Sequence, residues 1–374
     1  MKVLNLLTSG GLGGIEILNY DLGKYLSEDN GFAFLFGTGL TYDRMRNNGF
    51  EVYDLSGYHP KFSLKRYRKL AEIANGYDII TVHHGDPYLK AYYCAIVAKC
   101  HKKGVTFIHS CWDDSLFFPK SKVKHFFGKM IFQKALNIAE ITIFVSEAGK
   151  KSYEKAFKLK NKTQVIYNGI GTDKIEDGTN NVVKIRKPLE LVYVGRIEKI
   201  KGIDLLIDAL NELKSEYDFH LTIVGEGSQK MVLENKVKEL NLNDKIELIG
   251  GRTDVKPYLR QGSIFIYPSI CQEVFGIAIV EAMSYGLICV ANNVGGIPEV
   301  LHDGINGFVN KTNDVSGLKI ALRKAFESFK TKEYEVLGNK AKQTAMRFSI
   351  TNTCKNLDAV YEDLISHNGD KYFK

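Results

Sequence analysis

The sequence has no hydrophobic run of about 18 residues, the length that a membrane-spanning helix needs. The apolar run near the N-terminus, Val3 to Leu7, is shorter than the roughly 7–15 apolar residues of a secretory signal peptide. Only 7 of the 374 residues are proline, and 34 are glycine, which excludes collagen-like and low-complexity proteins. We therefore expect no membrane-spanning segment and interpret the first run as a buried strand.

Cysteine is scarce, and its spacing is not that of a paired set. The six cysteines form no Cys-x-x-Cys motif and lie within apolar stretches. Closely spaced cysteines are typical of disulfide scaffolds and zinc sites, so this spacing favours neither. We expect free, buried thiols in a reducing cytoplasm at Cys94, Cys100, Cys111, Cys271, Cys289 and Cys354.

The chain does contain enough apolar sequence for two domains. It is 44% hydrophobic and 25% charged, and a single domain commonly has about 100–200 residues. Short apolar runs alternate with amphipathic stretches, which is typical of parallel sheets covered by helices on both faces. Because this alternation occurs twice, it predicts an α/β protein with two doubly wound, Rossmann-like domains. The predicted strands are residues 3–7, 32–36, 79–83, 104–109, 141–145 and 163–167, then 189–194, 220–224, 245–248, 263–267, 288–291 and 307–309.

The predicted domain boundary lies in a segment rich in Gly, Asp, Asn and Lys. Residues 171–187 lack strong periodicity, which is typical of a linker, and they are the candidate hinge. We predict an N-terminal domain over residues 1–170, a C-terminal domain over 188–350 and a closing helix in 351–374. Ligands of open parallel sheets bind beyond the carboxyl ends of the strands. We therefore expect the two domains to face each other across a deep cleft that contains the site.

The positive charge is concentrated in the first half of the chain. Residues 1–170 contain 24 Lys and Arg against 15 Asp and Glu, whereas residues 171–374 contain 27 against 28. Such asymmetry indicates an anionic partner for the first half, either nucleic acid or a membrane surface. A solvated basic face without a partner is equally compatible with the charge alone.

A glycine-rich loop follows the first predicted strand. It contains Gly10, Gly11, Gly13 and Gly14 and precedes a helix predicted to start near Ile15. Glycine lets the backbone approach a ligand closely, and a helix N-terminus favours an anion. The spacing departs from the Gly-x-Gly-x-x-Gly dinucleotide fingerprint, which argues against a nicotinamide oxidoreductase. This pattern is compatible with a phosphate-binding loop and with a tight turn that has no ligand.

Three predicted strands of the second half also end in glycine loops. In the first of these, Arg196 and Lys201 follow Gly195 and precede a predicted helix. The forked donors of arginine and the point charge of lysine together suit a diphosphate, although cations in loops are often only solvated. The other two loops contain Gly225, Gly250 and Arg252.

Two glutamates flank the predicted start of a later helix. Glu273 lies in a loop, and Glu281 follows after seven intervening residues, inside a helix predicted to start near Gly276. The first-turn amides of a helix have no partner within it, so the amides of Phe275, Gly276 and Ile277 would suit a phosphate. Glu281 lies among apolar residues, and a partly buried carboxylate needs partners such as sugar hydroxyls. An ordinary helical salt bridge is the alternative.

These residues carry a resemblance to a known family. Residues 191–309 resemble the nucleotide-sugar-dependent glycosyltransferases of the GT-B fold, specifically the retaining group of glycosyltransferase family 4. The matching motifs are GRIEKIKG, the Glu-x7-Glu pair in EVFGIAIVEAMSYG, and NNVGGIPEVLHDGINGFV. GGIE, FVSEAGK and VIYNGI look like further landmarks in the first half. The resemblance covers nearly the whole chain and is stronger after Leu191.

The resemblance implies roles for the charged residues. Arg196 and Lys201 would bind the donor diphosphate and offset the charge that develops on the leaving nucleotide. Glu273 would contact hydroxyls of the donor sugar, and Glu281 would contact the ribose. His109 ends a predicted strand, and a histidine at this place in the family faces the donor sugar. A histidine that merely ends a strand is the alternative.

The resemblance also implies roles for backbone groups. The amides of Gly276 and Ile277 would cap the phosphates, and Gly250 and Arg252 would flank the base. Gly13 and Gly14, at the start of the first predicted helix, would let the first domain close over the phosphates. There is no Asp-x-Asp motif and no convincing covalent nucleophile, so we expect neither a metal nor another cofactor. The acceptor hydroxyl would attack from the face that the diphosphate leaves.

The resemblance also implies a partner for the basic first half of the chain. Its first domain receives the acceptor, often a lipid-linked sugar, and basic stretches mixed with aromatics can lie on anionic lipid. Residues 61–70 and 120–134 have this composition. We therefore expect a cytoplasmic enzyme, peripheral on the inner face of the cell membrane, that builds a surface polysaccharide from a nucleotide sugar, with uridine favoured over guanosine. Nucleic acid is a poor partner because no recognition motif accompanies the charge.

Two other classes of function fit parts of the pattern. A nucleotide-sugar 2-epimerase can share the two-domain architecture, but it would need neither an acceptor nor a lipid-facing basic patch. A non-catalytic module that binds nucleotide sugars or glycans would not need the complete charged set. The presence of Arg196, Lys201, Glu273 and Glu281 together argues against the binding module.

Overall fold

The computed structural model describes residues 1–11, 13–83, 86–112, 122–171 and 188–366. These described residues form two compact units: one contains those up to Gly169 together with those from Ile350 onward, and the other contains those between Ile170 and Ser349. Of the predicted linker, residues 172–187 lie outside the described residues.

The first unit is built on a parallel sheet. In its described part the sheet has seven strands, β1 (Lys2–Leu7), β2 (Asp29–Phe34), β3 (Glu51–Asp54), β4 (Ile79–Val82), β5 (Lys103–Ile108), β6 (Ile141–Phe144) and β7 (Lys162–Val165). Their order is β3-β2-β1-β4-β5-β6-β7, and every neighbouring pair is parallel. The order reverses between β1 and β4, which makes this the switch point where such sheets bind ligands.

Six helices connect these strands within the described residues. They are α1 (Gly14–Tyr25), α2 (Leu40–Asn47), α3 (Leu64–Asn75), α4 (Pro87–Cys100), α5 (Lys122–Ile138) and α6 (Glu147–Ala156). Local sequence explains several helix starts, because the side chains of Ser63, Asp86 and Ser146 each accept a hydrogen bond from a first-turn amide.

The second unit repeats this architecture. Its described strands are β8 (Leu189–Val194), β9 (Phe219–Val224), β10 (Ile246–Gly250), β11 (Ile264–Tyr267), β12 (Ile288–Asn292) and β13 (Gly307–Asn310), in the order β10-β9-β8-β11-β12-β13. Its described helices are α7 (Ile203–Leu213), α8 (Lys230–Glu239), α9 (Lys256–Gln261), α10 (Ile277–Ser284), α11 (Val315–Thr331) and α12 (Glu333–Arg347). Here the order reverses between β8 and β11. Two doubly wound α/β units are therefore confirmed.

Strand β3 was not predicted from the sequence. It consists of Glu51–Asp54, and both end residues are exposed. Within the described residues it is an edge strand that pairs with β2 alone, so it lacks the continuous apolar run of a strand that is buried on both faces. All twelve predicted runs overlap observed strands.

The last helix, α13 (Ile350–Ser366), belongs to the first unit rather than forming a separate segment. Its apolar face packs Leu357, Val360 and Tyr361 into a core that includes Val3 and Leu18. The chain thus returns to the first unit after completing the second. A closing helix was predicted, but its place in the fold was not.

Candidate functional site

A lysine and a glutamate from separate loops of the second unit form a buried ion pair. Lys201 ends a 3₁₀ turn after β8, and Glu273 lies in the loop between β11 and α10. Lys201 Nζ and Glu273 Oε1 are 2.5 Å apart, and the two side chains are only 11% and 14% exposed. Both loops leave the carboxyl ends of the switch-point strands. The fold therefore brings together two residues that the sequence predicted for the site.

The environment of Glu273 keeps its carboxylate ionised. Its Oε1 atom also accepts hydrogen bonds from Ser269 Oγ at 2.6 Å and Cys271 Sγ at 3.3 Å. Burial by itself raises the pKa of Glu273, but the Lys201 charge and these hydrogen bonds outweigh it and lower the pKa below its ordinary value. Lys201 Nζ also donates to Tyr267 Oη at 3.4 Å. The carboxylate is therefore a fixed negative charge beside a lysine.

Two glycines allow the loops to approach closely enough for this pair. Gly202 has a φ of +65° and Gly295 a φ of +54°, conformations that favour glycine. A Cβ atom would lie 2.1 Å from the Pro268 carbonyl oxygen at Gly202, and 1.9 Å from the Glu273 carbonyl oxygen at Gly295. That Glu273 carbonyl also accepts a hydrogen bond from the Gly296 amide at 2.7 Å. The ion pair thus depends on backbone packing that a larger residue would disrupt.

The three glycine loops predicted in the second half lie side by side at the carboxyl ends of β8, β9 and β10. Gly195 donates its amide hydrogen to the Val224 carbonyl at 3.0 Å, and Gly225 donates to the Gly250 carbonyl at 3.0 Å. A Cβ at Gly225 would lie 1.9 Å from the Gly195 carbonyl oxygen, so these two loops touch through their backbones. The structure places all three glycines at the carboxyl ends of adjacent strands, where a ligand can approach the main chain.

Helix α10 begins beside Glu273, as predicted. Gly276 caps it with a φ of +85°, and Ile277 is its first residue. Phe275 is buried, and its ring meets that of Phe348 edge-on at 5.2 Å, which anchors the helix start. The first-turn amides point out of the helix and form the positive end of its dipole. Glu281, one turn further on, is partly buried.

The two predicted arginines are exposed. Tyr193 Oη donates to the Arg196 carbonyl at 2.9 Å, which holds that backbone in place. The Arg252 guanidinium donates to the Gly251 carbonyl at 2.9 Å. Neither arginine takes part in the buried ion pair, and their roles stay predictions.

In the first unit, the glycine loop leads into α1. Gly13 precedes the helix and Gly14 is its first residue. Glu16 is buried, and its Oε2 atom lies 2.1 Å from the position that a Cβ of Gly13 would take. A negative charge is stabilised at a helix N-terminus. A carboxylate thus occupies the helix start where the sequence suggested a phosphate, and the roles of Gly13 and Gly14 stay predictions.

His109 lies at the carboxyl end of β5, next to a second histidine. His83 follows β4, the neighbouring strand. The distance between His83 Nδ1 and His109 Nε2 is 3.1 Å. The rings are nearly parallel, with centroids 5.4 Å apart. The structure therefore gives His109 a polar neighbour, and its catalytic role stays a prediction.

The residues that surround Glu273 were not predicted from the sequence. Tyr267, Ser269 and Cys271 lie two to six positions before it, and the alternating polar positions in YPSICQE were the available signal. The prediction that all six thiols are buried is wrong for Cys100 and Cys271, which are partly exposed. One is the last residue of α4 and the other lies in the site loop, where packing is incomplete. No disulfide joins any of these six cysteines, all of which lie among the described residues.

The described residues include neither a membrane-spanning helix nor a cluster of metal-ligating side chains. No helix among them combines the length and the apolar character needed to cross a bilayer. Nor does the described part of the chain bring three or more His, Cys, Asp or Glu side chains into an arrangement that could hold a metal ion. Independence of metal stays a prediction.

Two doubly wound α/β units, each with polar loops at its switch point, define the class of GT-B proteins. Residues 12–174 match the model of the family described as Glycosyltransferase Family 4, and residues 176–344 match that of Glycosyl transferases group 1. Together the two models cover most of the chain. The chain therefore belongs to the family 4 and group 1 glycosyltransferases and is a glycosyltransferase. The resemblance to GT-B glycosyltransferases of family 4 is thereby confirmed, and the retaining reaction stays a prediction.

Related proteins agree with this assignment. The chain is 28% identical over 337 residues to an uncharacterised glycosyltransferase of Methanocaldococcus jannaschii, covering 87% of this chain and 89% of that protein. It is 23% identical over 384 residues to N-acetyl-alpha-D-glucosaminyl L-malate synthase of Bacillus anthracis, covering 95% of each. The crystal structure of Anabaena HepE in complex with UDP matches with a TM-score of 0.83 and 21% identity, over 97% of this chain and 100% of that one. At this identity the structural match shows the fold alone.

Proposed function

We propose that this glycosyltransferase transfers a sugar from a nucleotide-diphosphate donor to a hydroxyl of a glycan or lipid-linked acceptor, with retention of configuration. The buried Lys201–Glu273 pair beside the start of α10 carries the proposal. It combines a cation for phosphate and a carboxylate for hydroxyls within one loop cluster. HepE has been crystallised with UDP and with UDP-glucose, which supports a uridine nucleotide.

The diphosphate would bind where positive groups converge. An ammonium has three N–H donors. Lys201 uses one toward Glu273 and one toward Tyr267, so the third can serve a phosphate oxygen. The amides of Gly276 and Ile277 and the Arg196 fork would supply further donors. Such fixed positive groups stabilise the charge that develops as the diphosphate leaves.

The sugar and nucleoside would contact the remaining residues. Lys201, Ser269 and Cys271 all donate to Oε1 of Glu273, which leaves its Oε2 atom for sugar hydroxyls. Glu281 would bind the ribose. The Gly250 and Arg252 loop would flank the base, and His109 would face the sugar.

Retention would follow from a front-side reaction. The bond from the anomeric carbon to the diphosphate oxygen breaks, and the acceptor oxygen forms its bond on the same face. The acceptor proton passes to the departing phosphate oxygen. Glu273 is a poor covalent nucleophile because its lowered pKa and three hydrogen bonds reduce its basicity. No metal or other cofactor is part of this proposal.

Donor binding can be tested by thermal unfolding. Uridine and guanosine diphosphates and their sugar conjugates are added to the wild type, to Glu281→Ala and to the matched surface variant Glu239→Ala. A ligand at 100 times its Kd adds about 2.7 kcal/mol of stability. One base should stabilise the wild type and Glu239→Ala, and Glu281→Ala should lose the effect. If no nucleotide raises the unfolding temperature at millimolar concentration, the donor proposal fails.

The reaction class can be tested by NMR of the sugar after turnover. Retention predicts that the anomeric configuration of the product equals that of the donor. An inverted product contradicts the front-side reaction. Isomerisation of the donor without any acceptor would instead favour the epimerase.

The acceptor side would lie on an anionic membrane, with the enzyme on the cytoplasmic face assembling a surface polysaccharide. Helices α3, α4 and α5 pack side by side, and large apolar side chains in their N-terminal halves or just before them are exposed. These are Phe62, Leu64, Tyr88, Val123, Phe126, Phe127 and Met130. Exposed apolar groups with basic residues between them suit the interface of an anionic bilayer.

Sedimentation with lipid vesicles tests this surface. The wild type should bind vesicles that contain anionic lipid more strongly than neutral ones, and salt should weaken binding. The double variant Phe126→Ser, Phe127→Ser should bind at least tenfold more weakly. The matched control is Met231→Ser, Val232→Ser, which alters two exposed apolar residues of α8. Equal binding by both double variants would contradict the assignment of this face.

A further inference from the structure

Two buried asparagines end neighbouring strands of the second unit. Asn292 is the last residue of β12, and Asn310 is the last residue of β13. The two parallel strands pair with these asparagines in register, and each side chain is at most 1% exposed. Because a buried amide without partners is costly, both side chains need defined hydrogen bonds.

Main-chain groups set the direction of the first amide. Asn292 Nδ2 lies 2.9 Å from the Pro268 carbonyl oxygen and 3.2 Å from that of Ser269. A carbonyl can only accept, so the amide nitrogen of Asn292 must face these two residues. Its Oδ1 atom then faces Asn310 and accepts a hydrogen bond from Asn310 Nδ2 at 2.8 Å.

The second amide is fixed in the same way. Asn310 Nδ2 also donates to the Asp314 carbonyl at 3.0 Å. Its Oδ1 atom accepts from the main-chain amides of Thr312 and Asn313 at 3.2 and 3.1 Å. All four amide hydrogens of the two asparagines are thus used, and turning either side chain over would bring oxygen against oxygen.

Through Ser269 this pair of asparagines reaches the buried ion pair. The Ser269 hydroxyl oxygen is 2.6 Å from Glu273 Oε1 and 3.3 Å from the Ile200 carbonyl oxygen. Its single hydrogen therefore goes to the carboxylate, since a charged acceptor makes the stronger bond. Because Asn292 holds the main chain of this serine, it also determines where the hydroxyl donates.

The Lys201 side of the ion pair rests on the same loop. The Pro268 carbonyl oxygen, which accepts from Asn292, would lie 2.1 Å from a Cβ of Gly202. The turn that ends with Lys201 therefore packs directly against this carbonyl. One asparagine thus supports main-chain groups beside both charges of the candidate site.

We propose that Asn292 and Asn310 are positioning residues that hold the loop before Glu273, so that the Oε2 atom of this carboxylate faces a hydroxyl of the donor sugar. This inference rests on the proposed function, in which Glu273 contacts the sugar. Both asparagines are buried, so they act through the loop rather than by touching the donor.

Neutral substitutions test the pair without adding charge near Glu273. Asn292→Leu keeps the size of the side chain but removes both bonds to the loop, so the serine hydroxyl should lose its fixed direction. Asn310→Leu leaves those bonds in place but removes the donor to Asn292 Oδ1, and it should have a smaller effect. The double variant should resemble Asn292→Leu, because Asn310 acts on the loop through Asn292. Asn292→Ala replaces Asn292→Leu if the leucine prevents folding.

Asn306→Leu is the matched control. Asn306 is also 1% exposed, and its Nδ2 atom donates to the Val300 carbonyl at 2.9 Å and to Thr344 Oγ1 at 3.1 Å. This change removes two buried hydrogen bonds of the same kind, but neither of them reaches the loop before Glu273. It should lower stability in urea unfolding as Asn292→Leu does, and leave the environment of Glu273 unchanged.

The first measurement needs no substrate. The carboxyl carbon of Glu273, assigned by its loss in Glu273→Gln, is titrated by NMR of protein labelled with ¹³C-glutamate. Burial raises the pKa of Glu273, whereas the Lys201 charge and the Ser269 hydrogen bond lower it. Loss of the serine bond should therefore raise this pKa in Asn292→Leu. An unchanged pKa in that variant, or an equal rise in the control, overturns the inference.

Donor binding then separates this inference from the proposed function. Calorimetry gives the Kd of UDP and of UDP-glucose for the wild type and each variant. A hydrogen bond to a charged group is worth about tenfold in an equilibrium constant. The Kd of UDP-glucose should therefore rise about tenfold in Asn292→Leu and that of UDP by less, since only the sugar contacts Glu273, and neither should change in Asn306→Leu.

Two results of the binding experiment have different consequences. Equal rises in the Kd of UDP and of UDP-glucose in Asn292→Leu overturn the inference, because the loop would then not act on the sugar. A Glu273 pKa that responds as expected, in a protein that binds neither ligand, overturns the uridine donor of the proposed function and leaves the positioning of Glu273 by the asparagines standing.

Discussion

Replacing Glu273 by Gln leaves the Lys201 charge without its counter-ion in a site where that lysine is 11% exposed. Removal of one partner from a buried ion pair costs about 3–5 kcal/mol. Since both side chains keep some access to water, we expect the lower end, about 3 kcal/mol, for Glu273→Gln and for Lys201→Met. The double variant contains no unpaired charge. It should lose less than the sum of the single variants, with a coupling energy of at least about 1 kcal/mol.

A second pair in the same unit provides the matched control. Lys319 Nζ and Glu212 Oε2 are also 2.5 Å apart, but the side chains are 30% and 49% exposed. Exposed pairs contribute little, so the coupling energy of Lys319→Met with Glu212→Gln should be about 0.5 kcal/mol or less. Urea unfolding followed by circular dichroism measures both cycles. Equal coupling energies for the two pairs would refute the argument that burial makes the Lys201–Glu273 pair strong.

The pH dependence of stability tests whether the Glu273 carboxylate stabilises the native protein. The pKa of Glu273 is lowered in the native protein from an ordinary value of 4.5, so the unfolded chain binds a proton at a higher pH than the native one. The stability that this carboxylate contributes is present above pH 4.5 and is lost as the pH falls through the lowered native pKa. The difference between the wild type and Glu273→Gln should therefore be constant from pH 6 to 8 and shrink below about pH 4.5. A difference that grows in acid contradicts the assignment.

Three further variants test other parts of the fold by urea or thermal unfolding. Lys90 Nζ is buried with no hydrogen-bond partner among the described residues, and burial lowers its pKa to about 8. Lys90→Met should therefore raise the free energy of unfolding by about 3 kcal/mol at pH 7, and by progressively less toward pH 10. An unchanged free energy of unfolding at pH 7 would contradict this. Burial, followed by the nearby Asp358 carboxyl group, raises the pKa of Glu28 to about 7. Because the native state then holds a proton that the unfolded chain releases, wild-type stability should fall between pH 4.5 and 7, and Glu28→Gln should stabilise at pH 8 but not at pH 4. Gly49 also has a positive φ, but the space around it is open, so Gly49→Ala should lower the free energy of unfolding by roughly 1–2 kcal/mol. Gly295→Ala should lower it by more, because the added methyl group would meet the Glu273 carbonyl. Equal losses would show that a small shift of the structure removes this contact.

Local sequence was sufficient for most elements of the fold. Runs such as residues 141–145 and 288–291 are continuously apolar because parallel strands are buried on both faces. The start of α10 was predictable because Gly276 and the apolar residues after it mark a helix boundary. β3 was not predictable, since an edge strand with two exposed residues leaves no such run.

The sequence was sufficient to propose residues for the candidate site, but not to predict which of them are in contact. Glycines and cations at strand ends pointed to Lys201 and Glu273, because chemistry in open α/β sheets gathers there. Their pairing across 72 residues depends on β8 and β11 being neighbours. The order of these strands depends on the packing of the whole sheet, so no local sequence pattern predicts it.

The sequence by itself determined the class of fold, the family and the loops that carry the site, because periodicity, glycine and charge act over a few neighbouring residues. Only the tertiary structure decided that three donors converge on one oxygen of Glu273, that Glu16 occupies the start of α1, and that His83 lies against His109. These contacts join residues from different strands and loops. Their geometry depends on strand order and close packing, which no local pattern specifies.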